Sequence, residues 1–165
     1  MGQPSFDVTS GVDLQEVDNA VNQARKEIGQ RFDFKGSKAS IDFRRAENLI
    51  ALVADDNFKM DAVWDILQTK LIRRGVPVKN LTPSDIEPMA GGLVKRDVTL
   101  QQGIPVEKAR EIVKYLKDQK LKRVQAAIQA DQVRVSSPSK DELQGAMKLL
   151  REHDFGIAIQ FGNYR

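Results

Sequence analysis

The chain repeats one pattern of predicted elements, and this repeat restricts its possible folds more than any single motif does. From residue 4 onward the apolar periodicity predicts strand, helix, strand, strand, helix, and from residue 94 it predicts the same order followed by a final strand over residues 157–161. In the best-aligned stretches, Ile50 corresponds to Val133 and Leu52 to Val135. The two halves share almost no identical residues, so the repeat lies in the pattern of apolar and polar positions.

Two copies of this pattern predict the α+β class, with two tandem ferredoxin-like sandwiches of β-α-β-β-α-β order. RNA-recognition (RNP-like) domains use the same unit. The stretch from residue 76 to 92 contains three prolines and a Gly-Gly pair, which is typical of a connector between the copies. Units of roughly 80 residues bury only about 60% of their unfolded surface, so we expect a tight interface or shared strands to stabilise both.

Capping residues predict where the helices begin. Asp13, Asp56 and Ser139 are each suited to the position before the first turn of a helix. Gly75 is suited to the position just after the second helix. Trp64 belongs to the apolar stripe of that helix, so we predict that its side chain is buried.

The composition leaves little for catalysis. The chain has no cysteine and a single histidine, His153, so it offers no thiol chemistry, no Cys-based metal site and no His-based metal cluster. It also lacks the glycine-rich phosphate loop and the dinucleotide fingerprint. We therefore predict a protein that is not an enzyme, with no catalytic residues, no metal ligands and no cofactor.

Apolar segments and charge bear on location and partners. The first 30 residues have no apolar core typical of a signal peptide, and no later run reaches transmembrane length, so we expect a cytoplasmic protein with no membrane partner. Residues 1–92 contain 12 Lys and Arg against 14 Asp and Glu, whereas residues 93–165 contain 14 against 9. The basic second half is the better docking surface for an anionic partner, although an excess of charge also serves solubility.

Two phenylalanines alternate with charged residues in the run Arg31-Phe32-Asp33-Phe34-Lys35. If this run is extended, Phe32 and Phe34 lie on one side of it, flanked by Arg31 and Lys35. Exposed rings of this kind stack nucleobases while neighbouring cations hold phosphates. The alternative is that both rings fill the core beneath the first helix.

The densest basic runs supply the remaining candidate residues. One run closes the second helix, where its cations also compensate the helix dipole, and the other leads from the third helix into a strand. The full set of candidate nucleotide-binding residues is Arg31, Phe32, Phe34, Lys35, Arg73, Arg74, Lys122 and Arg123.

Short motifs in the same order along nearly the whole chain point to a known family. They are Pro4-Ser5-Phe6-Asp7, Arg31-Phe32-Asp33-Phe34-Lys35-Gly36, Asp65-Ile66-Leu67-Gln68-Thr69-Lys70-Leu71-Ile72-Arg73-Arg74-Gly75, Gln102-Gly103-Ile104, Ile112-Val113-Lys114 with Lys120-Leu121-Lys122, and Gln160-Phe161-Gly162-Asn163-Tyr164-Arg165. In these motifs the chain resembles the YajQ family of small bacterial proteins. It departs from the family pattern at Ala130-Asp131 and at Ser136-Ser137-Pro138, where Gly-Asp and Thr-Gly-Lys turns are usual.

The resemblance implies that the two domains exchange their N-terminal strands. The first strand then joins the sheet of the second repeat, and Val94–Leu100 joins the sheet of the first. The expected domains are residues 11–103, and residues 1–10 together with 104–165.

The resemblance also implies nucleotide binding. We expect a regulatory effector that binds a guanine nucleotide such as GTP or cyclic di-GMP, with a transcription regulator as a further partner. Two alternatives remain at this point. One is a module that binds tRNA or single-stranded RNA, and the other is a protein-interaction adaptor.

Overall fold

The chain folds into two compact units. The computed structural model describes residues 2–165, so Met1, the first residue of the second expected domain, lies outside the described residues. The first unit is Val12–Gln101, and the second unit joins the residues before Val12 to Gln102–Arg165. Each unit contains one antiparallel sheet and two α-helices. The predicted α+β class is therefore confirmed.

Nine strands and four α-helices make up the described part of the chain, with short 3-10 turns between some of them. In chain order they are β1 (Ser5–Thr9), α1 (Leu14–Gln30), β2 (Ser40–Arg44), β3 (Leu49–Ala54), α2 (Asn57–Arg73), β4 (Leu81–Pro83), β5 (Glu87–Pro88), β6 (Val94–Leu100), α3 (Val106–Asp118), β7 (Gln125–Gln129), β8 (Gln132–Ser136), α4 (Lys140–Glu152) and β9 (Gln160–Gly162).

The sheet of the first unit has the strand order β2-β3-β6-β4, and β5 also pairs with β6. In the register of β3 and β6, Ile50 lies opposite Val98 and Leu52 opposite Arg96. One face of this sheet carries α1 and α2, and the helices and strands share a single apolar core. Its fully buried members include Val17, Val21, Ile50, Leu52, Met60, Val63, Leu67 and Val98.

The sheet of the second unit has the strand order β7-β8-β1-β9. Strand β1 therefore lies between β8 and β9, and it is antiparallel to both. Because side chains alternate along a strand, one face of this sheet is apolar and packs against α3 and α4. The core of this unit includes Phe6, Val8, Ile112, Val133, Val135, Leu150 and Phe155.

The repeat predicted from the sequence has a counterpart in the packing. Ile50 and Val133 are fully buried in β3 and β8, as are Leu52 and Val135. Both strands precede the last helix of their unit, and both bury alternate residues, as one-sided packing of a strand requires.

The predicted helix starts are confirmed. The Asp13 carboxylate accepts hydrogen bonds from the backbone N–H groups of Gln15 and Glu16, at 2.9 and 3.4 Å. Asp56 and Ser139 cap α2 and α4 in the same way, through the third residue after each cap. Gly75 follows α2 with a φ of 78°, the left-handed conformation that glycine adopts without strain.

Two details differ from the predictions. Trp64 is only partly buried, because it lies at the edge of the α2 stripe whose buried members include Met60, Val63 and Leu67. The last strand was expected over residues 157–161 but is Gln160–Gly162. Gly156, at a φ of 82°, turns the chain just before Ile157, which packs in the core ahead of the strand.

None of the helices in the described residues combines the length and the apolar character that crossing a bilayer requires.

Candidate functional site

The predicted extended run from Arg31 to Lys35 is a single 3-10 turn, Phe32–Phe34. The prediction that both rings lie on one side is therefore wrong. A 3-10 turn rotates successive side chains by about 120°, so residues two apart do not share a side as they do in a strand. Phe32 is 86% exposed, whereas Phe34 is 5% exposed.

Phe34 packs in the core of the first unit, so the alternative interpretation, which placed both rings in the core, is correct for Phe34 and wrong for Phe32. Two cations lie over its ring, with the Lys59 ammonium 4.9 Å and the Arg31 guanidinium 5.5 Å from the ring centroid. The ring also borders a cavity of about 350 Å³ that Arg25 and Ile28 help to line. Phe34 therefore has a structural role in the core of the first unit.

Phe32 projects from the same turn into solvent, and it is not alone there. Phe58, in the first turn of α2, is 78% exposed. The neighbouring Lys59 ammonium donates a hydrogen bond to the Asp33 carbonyl, which ties the start of α2 to the 3-10 turn. Sequence reasoning missed Phe58, although its position off the apolar stripe of α2 was a readable signal.

The two cations of the turn, Arg31 and Lys35, differ in whether their side chains are paired with an acceptor. The Arg31 guanidinium donates through Nε and Nη2 to both carboxylate oxygens of Asp33, at 3.0 and 2.8 Å. These hydrogen bonds lower the pKa of Asp33 and raise that of Arg31. Lys35 is exposed, and its ammonium has no hydrogen-bond or ion-pair partner among the described residues. Lys35 is therefore the freer of the two to meet a phosphate.

Arg73 and Arg74 line a groove of about 440 Å³ between α1 and α2, together with Lys26 and Lys70. Glu27 lies in the same groove and accepts a 2.9 Å contact from the Lys70 ammonium. Its other carboxylate oxygen lies 3.8 Å from Arg31, so Glu27 links the groove to the 3-10 turn. The structure thus brings six of the eight predicted residues into one part of the first unit.

Lys122 and Arg123 belong to the second unit, in the turn before β7. Both side chains are exposed. Arg123 has a φ of 59°, and so the turn carries a left-handed residue that is not glycine. These two residues do not belong to the group assembled in the first unit.

Sequence reasoning also missed a polar cluster in the second unit. The Arg134 Nε donates to Asp7 at 3.0 Å, and the Asn163 side-chain amide donates to the other oxygen of Asp7 at 2.7 Å. Asp7 and Asn163 belong to two of the family motifs, one near each end of the chain. Their membership in these motifs was the signal that the sequence offered. Arg134 itself is one polar position in an alternating strand.

Comparison with known proteins agrees with the motifs. The family model described as "Nucleotide-binding protein YajQ-like" matches residues 4–165. The chain is 53% identical to a "Nucleotide-binding protein" of Solibacter usitatus, over 100% of this chain and 99% of that protein. Proteins with the same name from Trichlorobacter lovleyi and Carboxydothermus hydrogenoformans are 51% and 50% identical over 98% of this chain, and the match covers 99% and 97% of their own lengths. The resemblance predicted from the motifs is thereby confirmed, and the chain belongs to the YajQ family.

Proposed function

We propose that this protein binds a nucleotide without transforming it chemically, and that the nucleotide is a guanine nucleotide such as GTP or cyclic di-GMP. In this proposal the protein is a regulatory effector that passes the signal to a transcription regulator. The names of its relatives support the binding role, because all three are called nucleotide-binding proteins and none is named as an enzyme.

One observation carries the proposal, the 86% exposure of the Phe32 ring. An aromatic ring in water gains free energy when a base covers it, and base stacking on such rings is worth roughly 1–3 kcal/mol per base. Lys35 lies three residues further along the chain, on the same turn, with no acceptor of its own among the described residues. Ring and cation together match the two parts of a nucleotide, the base and the phosphate.

The other predicted cations extend this site in the proposal. Arg73 and Arg74, in the groove between α1 and α2, are assigned to phosphates of a nucleotide bound to the first unit. Lys122 and Arg123 are assigned to phosphates separately, on the second unit. Arg31 acts indirectly, because its guanidinium already pairs with Asp33. Phe34 supports the turn from the core.

We further propose that each unit is a ferredoxin-like sandwich and that the two units have exchanged their first strands. The domains would be residues 11–103, and residues 1–10 with 104–165. The pairing of β1 with β8 and β9 supports this proposal. So does the pairing of β6 with β3 and β4, which places the first strand of the second repeat in the first unit's sheet.

The test is a calorimetric titration of GTP and cyclic di-GMP into the wild-type protein and into Phe32→Ala. We expect the variant to bind the nucleotide about 5- to 150-fold more weakly, the equivalent of roughly 1–3 kcal/mol. Val78→Ala is the control, since it removes another exposed apolar side chain from the same unit. Equal affinities for Phe32→Ala and the wild type would remove Phe32 from the site.

The adaptor alternative has one observation in its favour. Phe32 and Phe58 are both exposed, one on the 3-10 turn and the other at the start of α2, and exposed apolar surface is also typical of protein docking sites. If the wild-type protein binds no nucleotide, and Phe32→Ala and Phe58→Ala both abolish binding of a partner protein, the adaptor function replaces the one proposed here.

A further inference from the structure

The second unit carries a polar face on its sheet, opposite the helices. Phe6 and Val8 of β1 point into the core, so Asp7 between them belongs to the other face. Arg134 lies directly opposite Asp7 in the pairing of β1 with β8. On the far side of Arg134 the opposing residue is Ala127 of β7. Arg134 therefore stands on this face between a carboxylate and a residue with almost no side chain.

The position of the Arg134 side chain is fixed by Asp7. The Nε of Arg134 donates to Asp7 Oδ1 at 3.0 Å, and the side chain of Asp7 is only 6% exposed. The side-chain amide of Asn163 donates a hydrogen bond to the other carboxylate oxygen of Asp7, at 2.7 Å. The hydrogen bonds from Arg134 and Asn163 hold the pKa of Asp7 below its usual range although burial opposes this. The lowered pKa favours the charged form of Asp7, which holds the guanidinium of Arg134 in place.

The contact with Asp7 leaves the two terminal nitrogens of Arg134 available for a ligand. Only Nε is used, and neither terminal nitrogen of Arg134 has a hydrogen-bond acceptor among residues 2–165. This differs from Arg31, which donates through both Nε and Nη2 to Asp33. A guanidinium that is held at Nε presents its terminal donors in a fixed fork, and this fork fits the oxygens of a phosphate group.

Two cavities lie beside Arg134. One, of about 570 Å³, lies at the edge strand β7 and is lined from both faces of the sheet, by Val113 and Leu116 of α3 and by Ala127 beside Arg134. The other, of about 370 Å³, is lined by residues that include Arg165 and Ser5. Arg134 and Ser136 border both cavities. Both volumes lie within the range of about 300–1,000 Å³ that is usual for small-molecule sites.

The charge around the fork favours an anion. Arg165 is placed beside it by two backbone hydrogen bonds with Ser5, at 3.0 and 3.3 Å, and it adds a second guanidinium to the smaller cavity. Lys117 adds an ammonium to the larger one. The unit as a whole contains twelve Lys and Arg against nine Asp and Glu.

We propose that Arg134 binds the phosphodiester group of a dinucleotide, with one nucleoside in each of the two flanking cavities. The proposal rests on the proposed function for the source of the phosphate, whereas the anion site itself follows from the fork and the cavities. It assigns binding to a set of residues different from the exposed ring Phe32 and its neighbour Lys35. The same phosphodiester chemistry is present in a free dinucleotide and in a longer single strand, so the test includes both.

The test uses nuclear magnetic resonance of the full-length protein, with the arginine Nε–H signals as readout. The probes are the linear dinucleotide pGpG, cyclic di-GMP, an eight-nucleotide single-stranded RNA, GMP, guanosine and inorganic phosphate. We expect the Arg134 Nε–H signal and the backbone signals of β7 to move with the dinucleotides, and to stay in place with guanosine. An equal or stronger response to the RNA identifies a strand as the source of the phosphodiester.

Two variants separate binding from folding. Arg134→Lys keeps the charge but loses the fork, and Ala127→Glu keeps Arg134 but places a carboxylate opposite it. We expect both to lower the affinity for pGpG at least 10-fold while the melting temperature of Ala127→Glu stays near that of the wild type. The matched control is Arg44→Lys, because Arg44 also donates through Nε to a carboxylate, Asp42, at 3.1 Å but borders neither cavity. Its affinity for pGpG should not change.

The outcomes separate this inference from the proposed function. If the wild type binds pGpG, and Arg134→Lys and Ala127→Glu bind it equally well, the inference is overturned while nucleotide binding stands. If the wild type binds no nucleotide, the proposed function fails. The response of the Arg134 Nε–H signal to inorganic phosphate then tests the anion site by itself. A shift at Arg134 without one at Arg44 supports the anion site, and the lack of a shift at Arg134 overturns it.

Discussion

Two identical side chains of one turn have opposite environments. Phe34 is enclosed by the core of the first unit and covered by two cations, whereas Phe32 is almost completely in solvent. The same contrast holds for arginine, since Asp33 occupies the guanidinium of Arg31 and Asp7 occupies only one nitrogen of Arg134. What each residue can bind is therefore decided by its contacts and not by its type.

The difference between the two phenylalanines predicts a difference in stability. Phe34→Ala leaves a cavity in the core and should lower the free energy of unfolding by roughly 3–5 kcal/mol. Phe32→Ala removes an exposed ring and should change it by less than about 0.5 kcal/mol. Urea denaturation followed by Trp64 fluorescence measures both. Similar losses for the two variants would mean that Phe32 is also packed.

Asp7 predicts a pH dependence of stability. Its pKa in the folded protein is lowered below the ordinary value of 3.8, first by the hydrogen bond from Arg134 and then by that from Asn163. A carboxyl whose folded pKa is lowered stabilises the protein above the unfolded pKa, and the contribution disappears as the pH falls through the folded pKa. Asp7→Asn should therefore be less stable than the wild type at pH 7.

The difference in free energy of unfolding between the wild type and Asp7→Asn should decrease as the pH falls below about 4, because the wild-type carboxyl then becomes protonated. Urea denaturation at pH 7, 5 and 3 follows this change. A gap that is constant over the whole range would show that the charge of Asp7 contributes nothing to folding.

At the scale of elements, the sequence predicted what local chemistry decides. The caps Asp13, Asp56 and Ser139 bond to backbone groups within three residues, so each is readable from a short window. The 3-10 turn at Phe32 was not readable, because a run with phenylalanine at every second position has the same pattern as a strand. Only its packing against α1 and α2 decides the conformation.

The Arg134 fork could not be predicted for a different reason. Its partner Asp7 is separated from it by 127 residues, and Asn163 is separated from Asp7 by 156. These contacts depend on β1 lying between β8 and β9, and no pattern within one strand specifies its neighbours. The family motifs marked Asp7 and Asn163 but did not indicate what they hold.

Strand pairing predicts which fragments fold. A fragment of residues 1–92 lacks β6, so β3 loses the neighbour that β6 provides and presents an unpaired edge. A fragment of residues 12–101 keeps the complete order β2-β3-β6-β4. We expect the fragment 12–101 to unfold cooperatively and to remain monomeric. We expect the fragment 1–92 to aggregate or to lack a cooperative transition. Thermal unfolding with size-exclusion chromatography compares them, and a well-folded monomer of residues 1–92 would contradict the proposed exchange.

At the scale of the whole molecule, the distribution of charge follows the units and not the halves of the sequence. The first unit contains fourteen Lys and Arg and fourteen Asp and Glu, whereas the second contains twelve against nine. The contrast is weaker than between residues 1–92 and 93–165, because β6 brings Lys95 and Arg96 into the first unit. A moderate, local excess of cations suits a ligand with few phosphates better than a long nucleic acid, which needs an extended basic track.

The central claim is that the protein binds a guanine nucleotide and leaves it unchanged. Its most direct test is a calorimetric titration of GTP, ATP, cyclic di-GMP and a short single-stranded RNA at about 50 and 200 mM salt, with chromatography of the recovered ligand. We predict that one of the guanine nucleotides binds best, is recovered intact, and loses little affinity between the two salt concentrations. Tightest binding of the RNA with a steep loss in salt would contradict the claim, and so would the absence of any heat of binding with both guanine nucleotides.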